Sequence, residues 1–193
     1  MPYGAHETME VHEVLNEKLN LINHFNLYAQ MTQNQQIRGM LERHLATAMQ
    51  SYDQLVAYTH NYSAAPQQGR TDAAGMTSQV QPQQIQYGLR QPAPVAPGAQ
   101  GTLNDNQILC AMLSCHKNSA KLHMQASLEC ADPNVRHMLM NGSIACAEQA
   151  YEVFMVMNQQ GQYQVPTMND HTAKTFLHTY QPSQEGYGSM PQQ

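Results

Sequence analysis

From Thr8 to Met31 the apolar residues Val11, Leu15, Ile22, Phe25 and Ala29 recur every three, four or seven positions, the spacing that lines one face of an α-helix. The pattern predicts a first helix of about six turns. Glu7, Glu10 and Glu13 crowd its start, where carboxylates complement the free N–H groups and the positive dipole end. The polar run Thr32-Gln33-Asn34-Gln35 breaks the pattern, and a second apolar series (Ile37, Leu41, Leu45, Ala48, Tyr52, Leu55) continues to about His60. Residues 6–62 therefore read as a helical hairpin.

Residues 63–102 change character. Five prolines (Pro66, Pro82, Pro92, Pro94, Pro97), nine glutamines and no lysine make a stretch that cannot hold a long helix or bury much surface, so a disordered linker is expected. Asn104 or Asp105 can cap a third helix that runs to about Glu129, with Leu109, Leu113, Ala120, Met124 and Leu128 on one face. Asp132-Pro133 is a stronger start signal, a cap followed by proline at the first helical position, where its missing N–H costs nothing. The fourth helix then runs to about Gln159 and stops at Gly161. Ile37-Arg38-Gly39-Met40-Leu41 and Val135-Arg136-His137-Met138-Leu139 open the second helix of each pair, and Lys18 and Lys117 fall at nearly the same offset. Helices of equal length, paired in hairpins over 6–62 and 103–166 and joined by a long crossover, predict an all-α, ferritin-like four-helix bundle. Residues 167–193 return to Gln, Gly, Ser and Pro and read as a disordered tail.

Composition narrows the partners. Charged residues are 12% of the 193, and the net charge is −5 from 9 Lys+Arg against 14 Asp+Glu, while 26 glutamines carry the solubility. So few basic groups exclude an electrostatic grip on nucleic acid or anionic lipid. No apolar run approaches the ~20 residues that span a bilayer, and Met1-Pro2-Tyr3-Gly4-Ala5-His6-Glu7 has no basic or apolar leader region, so the chain is expected to stay in a cytoplasm without membrane insertion. The core draws on 14 Met and on Ala, with no Trp and three Phe, which gives flexible packing and no deep aromatic pocket. Cys110, Cys115, Cys130 and Cys146 form no C-x-x-C pair and are expected as free thiols in a reducing compartment.

The segment from Leu103-Asn104-Asp105-Asn106-Gln107-Ile108-Leu109 through Lys117 and Asp132-Pro133-Asn134-Val135-Arg136-His137-Met138-Leu139 to Glu148 and Pro166 resembles the spore coat protein F family. That family closes with a helix followed by Met-Asn-x-x-Gly-(Trp or bulky)-Tyr-x-x-Pro, matched here by Met157, Asn158, Gly161, Tyr163 and Pro166. The opening Gly4-Ala5-His6-Glu7-Thr8-Met9-Glu10-Val11-His12-Glu13-Val14-Leu15 looks like the start of ferritin-like coat proteins of the same group. The likeness covers about 8–62 and 103–166. Gln162, where relatives often carry an aromatic, and the four cysteines depart from it. The resemblance implies a non-enzymatic structural component of the endospore coat, made in the mother-cell cytoplasm. Its partners would be other spore coat proteins or further copies in a homo-oligomer, and it would need no cofactor.

Several side chains invite chemistry. Di-metal bundles carry a Glu on each of two helices and Glu-x-x-His on each of the others, a motif absent from both second helices here. His6 and Glu10, four apart, could share a divalent ion, and His44 is the remaining metal candidate. Glutamates that simply stabilise a helix start explain the first cluster equally well, and no metal is expected. The alternative class is a manganese-catalase-like oxidoreductase using Glu7, Glu10, Glu13 and His44. A third is a soluble binding module with a Met-rich surface. Cys115 and His116 diverge by about 100° round a helix and form no nucleophile pair. Lys18 and Lys117 sit on or beside the apolar stripes, and either snorkel outward or pair with Glu148 or Glu152. Gly142 in mid-helix points to a close helix contact or a bulky partner across the core. If the resemblance holds, the four cysteines, tyrosines and glutamines are candidates for cross-linking within an insoluble assembly.

Overall fold

The computed structural model describes residues 4–60, 82–88 and 101–181. Four long helices, α1 (Ala5–Met31), α2 (Gln35–His60), α3 (Asp105–Leu128) and α4 (Pro133–Gln159), are followed by a short α5 (Asp170–Leu177). A single 3₁₀ turn occupies Pro82–Gln84.

Local chemistry sets the boundaries. Asn104 and Gln107 form a reciprocal capping box at the start of α3. Asp132 accepts from the Asn134 and Val135 amides, with Pro133 directly after it. Past α4, Gly161 adopts φ +72°, and the Gln162 and Gly161 amides return to the carbonyls of Met157 and Asn158 at 2.8 and 3.0 Å. This closure satisfies carbonyls that a straight end would leave bare. Between α1 and α2, Asn34 Oδ1 takes the Gln36 and Ile37 amides.

α1 packs against α2 and α3, and α4 packs against α3 and α2, so the four helices close a ring. Thr32, just past α1, donates to Asp105 at the start of α3 (2.6 Å), while Glu7 near the start of α1 accepts the Asp132 amide (3.1 Å). Tyr58, late in α2, donates to Asp132 at 2.6 Å. Hence α1 and α3 run antiparallel, and α2 ends at the pole opposite the one where α3 begins. The chain between them must cross the full length of the bundle, as in ferritin-like folds. The expected two-hairpin bundle is what forms.

The core has two apolar clusters. One, around Phe25, Ile37, Leu41, Leu109, Met112 and Val153, fills the pole of the α1–α2 turn. The other, around Val14, Leu55, Ala126, Val135 and Leu139, fills the opposite pole. On α1, Val11 and Phe25 of the expected stripe are buried, but Val14 and Leu21 carry the middle of the inward face, and Leu15, Ile22 and Ala29 are only half-buried. On α3 the second half departs from expectation: Met124 is 39% and Leu128 72% exposed, and His116, Ser119, His123 and Ser127 face inward instead. Positions 109, 112, 113, 116, 119, 123 and 126 follow the helical angle, whereas Met124 and Leu128 drift off it.

Where a disordered linker is expected, residues 82–88 are described and dock on the end of α4; 61–81 and 89–100 lie outside the described residues. Where a disordered tail is expected, α5 forms, with Lys174 donating to Asp170 one turn away (2.5 Å). It buries no residue, so only local bonds hold it. Residues 182–193 lie outside the described residues.

Candidate functional site

Between the two apolar clusters runs a belt of buried polar side chains drawn from all four long helices. In the first rung, Ser119 on α3 donates to Glu17 of α1. The other Glu17 oxygen faces His123 Nε2 at 3.5 Å, too long for a good hydrogen bond. His123 is 1% exposed, and neither ring nitrogen has a partner. Burial works to raise the Glu17 carboxyl, but His123 and Ser119 together hold it below its ordinary value. The His123 imidazole is pushed down, chiefly by burial.

Lys18 stands beside this rung at 6% exposure, its Nζ donating to Ser51 of α2 at 2.8 Å. Neither sequence reading of Lys18 holds: it does not snorkel outward, and its hydrogen-bond partner is a hydroxyl. Burial pushes its ammonium down, partly offset by Cys146 and Glu17. Glu17, Lys18, Ser51, His123, Cys146 and Gln149 line a cavity of about 20 Å³, the size of one water. Lys117, by contrast, is exposed and reaches the Tyr163 hydroxyl at 3.4 Å, lying 5.0 Å from the ring centre.

The second rung crosses the bundle diagonal. Arg43 and His44 of α2 both meet Glu152 of α4, His44 through Nε2 at 2.8 Å. Its Nδ1 lies 3.0 Å from His116 Nε2 of α3, and the Phe25 ring of α1 meets His116 edge-on, centres 5.1 Å apart. An ionised carboxylate only accepts, so His44 Nε2 carries a proton. With His44 neutral, Nδ1 accepts from His116 Nε2–H, which leaves His116 Nδ1 buried without a partner. Burial and then His44 push the His116 imidazole well below its ordinary value. Burial works to raise Glu152, but His44 and Arg43 hold it down.

The belt ties helices together, and the cavity beside Lys18 has the size of one water. The thiols beside it are poor nucleophiles: burial pushes Cys115 up to about 11 and Cys146 up to about 12. Cys130, near the other pole, is likewise pushed up to about 11, mainly by burial, while Cys110 is exposed.

The metal candidates are not brought together. His6 is exposed at the start of α1, 4.0 Å from Glu129, and Glu10 is half-buried one turn on. His44 lies level with Phe25, nineteen positions further along α1 than His6, roughly 28 Å at 1.5 Å per residue. Glu7 is buried against the Asp132 amide and Glu13 is exposed. Among the described residues no three His, Cys, Asp or Glu side chains are grouped to hold an ion.

Sequence reasoning missed the roles of Glu17, His116, Ser119, His123 and Glu152. The available signal was Gly142: a Cβ there would meet His123 Nδ1 at 2.9 Å, so the glycine marks the ring packed against it.

The closing turn of α4 has its own geometry. Asn158, 1% exposed, accepts the Gln86 amide at 2.9 Å and donates to the carbonyls of Gln86 (3.1 Å) and Tyr163 (3.0 Å). One side-chain amide thus holds both residue 86 of the crossover and the turn after α4, and Gly88 N–H adds a bond to the Val165 carbonyl at 3.1 Å. Gln162, at the position where the resembled family often carries an aromatic, donates to Asn106 and Gln160 at 2.5 and 2.6 Å.

The fold is thus a two-hairpin, crossover-linked four-helix bundle with this closing turn. The family model described as the Coat F domain matches residues 104–166, the second hairpin with its closing turn, and bears out the resemblance over that segment. Over 189 residues, 97% of this chain and 83% of the relative, the sequence is 28% identical to the Spore coat protein F-like protein YhcQ of Bacillus subtilis (strain 168). No solved structure matches the chain.

Proposed function

We propose that this chain is a structural, non-enzymatic component of the bacterial endospore coat, built in the mother-cell cytoplasm and acting through contacts with other coat proteins or with copies of itself. The observation that carries the reading is the Coat F match over 104–166, set on a bundle whose buried polar groups join helices. Exposed apolar side chains such as Met9, Leu128, Phe176 and Leu177 offer contact surface. Among the four thiols, Cys110 is the exposed one and is the proposed position for an intermolecular disulfide.

The test is a fluorescent fusion followed through sporulation. A shell of signal around the forespore is expected, and signal that stays diffuse in the mother cell would overturn the reading. Non-reducing electrophoresis of coat extracts should show a higher-mass species that disappears in Cys110→Ser and persists in Cys146→Ser.

A further inference from the structure

The polar belt joins the two hairpins, and its least satisfied members are imidazoles. His116 and His123 lie seven positions apart on one stripe of α3, 0% and 1% exposed, with three of their four ring nitrogens lacking a hydrogen-bond partner. Bundles rarely leave buried polar atoms bare, so such atoms call for a reason. His116 meets Phe25 and His44 of the opposite hairpin, and His123 lies between Glu17 of the opposite hairpin and Gly142 of its own.

We propose that His116 and His123 form an acid-sensitive latch between the hairpins, docked while both rings are neutral and loosened when they take up protons.

The surroundings explain the direction. From α1, His116 meets only the edge of Phe25; from α2 it meets His44; and it reaches Glu152 of α4 only through His44, which shares that carboxylate with Arg43. A proton arriving at His116 Nδ1 finds no acceptor. An imidazolium at His116 would stand with its Nε2 3.0 Å from His44 Nδ1 and its buried Nδ1–H without an acceptor. The folded ring therefore resists the proton that the unfolded chain binds. His123 faces Glu17 and Lys18 from α1, Cys146 and the Gly142 backbone from α4, and uncharged Ser51 and Thr47 from α2. Burial outweighs the help of Glu17 there, so this ring also stays neutral below its ordinary value.

Both groups have folded-state pKa values below the unfolded one. Below about pH 6.5 the unfolded chain binds more protons, and stability falls as pH falls. Each proton in deficit changes the folding constant roughly tenfold per pH unit.

The test is urea denaturation of the full chain at pH 7.5, 6.5 and 5.5, for wild type, His116→Met, His123→Met and the double variant. Wild type should lose up to about a hundredfold in folding constant per pH unit below 6.5, each single variant about tenfold, and the double variant little. A double variant with the wild-type slope would overturn the latch. Imidazole ¹⁵N shifts of the wild-type protein test the latch without a substitution: both rings should remain neutral at pH 5.5, and titration of either near 6.5 in the folded protein sinks the proposal.

Discussion

The two hairpins have matching lengths and an antiparallel layout, yet they are held by different means. α3 and α4 approach closely through small residues: Gly142 lies against the His123 ring, and Ser143 donates to the Ala120 carbonyl at 2.7 Å. Each end of that hairpin is fixed by its own sequence, through the Asn104–Gln107 box, Asp132 with Pro133, and Gly161. α1 starts at Gly4 with no side-chain cap bond, and its partners at the belt lie mostly in the other hairpin. The second hairpin thus specifies itself, while the first is placed by what it meets. That difference accords with a family match that covers 104–166 alone.

The comparison breaks most visibly at Phe25, the fully buried first-hairpin ring that touches both His44 and His116. Phe25→Ala should cost about 3–5 kcal/mol by chemical denaturation, because it opens a cavity and strips the edge contact from His116. A loss below about 1 kcal/mol would mean that the first hairpin is not positioned through this contact. Gly142→Val probes the other side. A side chain there collides with His123, and the ring is fenced by Glu17 and Ser119, so a loss of about 1–3 kcal/mol is expected from the same measurement. The second-hairpin seam would be looser than described if valine were tolerated without cost.

The same contrast governs what the sequence revealed. Capping chemistry is local, so Asn104, Asp132-Pro133 and Gly161 marked the ends of α3 and α4, and Gly142 announced a close contact before any partner was known. The belt was not legible in this way. Its bonds join residues far apart in the chain, His44 to Glu152 across 108 positions and Ser119 to Glu17 across 102, which no local pattern reports. Polar residues on an inward stripe also defeat a reading based on apolar periodicity: Met124 and Leu128 drew the predicted face of α3 away from His123 and Ser127, which are the residues turned inward. Lys18 and Lys117 looked equivalent by offset, yet one is buried against Ser51 and the other exposed beside Tyr163.

That pair of lysines sharpens the comparison with smaller effects. Lys18 keeps an ammonium in a nearly dry layer, and its folded pKa is depressed. The unfolded chain therefore holds that proton more tightly, and the penalty is present at all pH values below the ordinary lysine range. Lys18→Met removes the charge while filling similar volume, and should raise stability by about 1 kcal/mol at pH 7, with the gain shrinking as pH rises toward 10. A destabilisation of about 2 kcal/mol or more would show instead that the bond to Ser51 and the attraction of Glu17 outweigh the cost of burial. Lys117→Ala is the complementary test. Its charge is already in water and its contacts are one long bond and one ring face, so about 0.5 kcal/mol or less should be lost. A larger loss would make the Tyr163 turn a true fastening of the second hairpin, since the lysine would then be holding the segment that Asn158 already pins to the crossover.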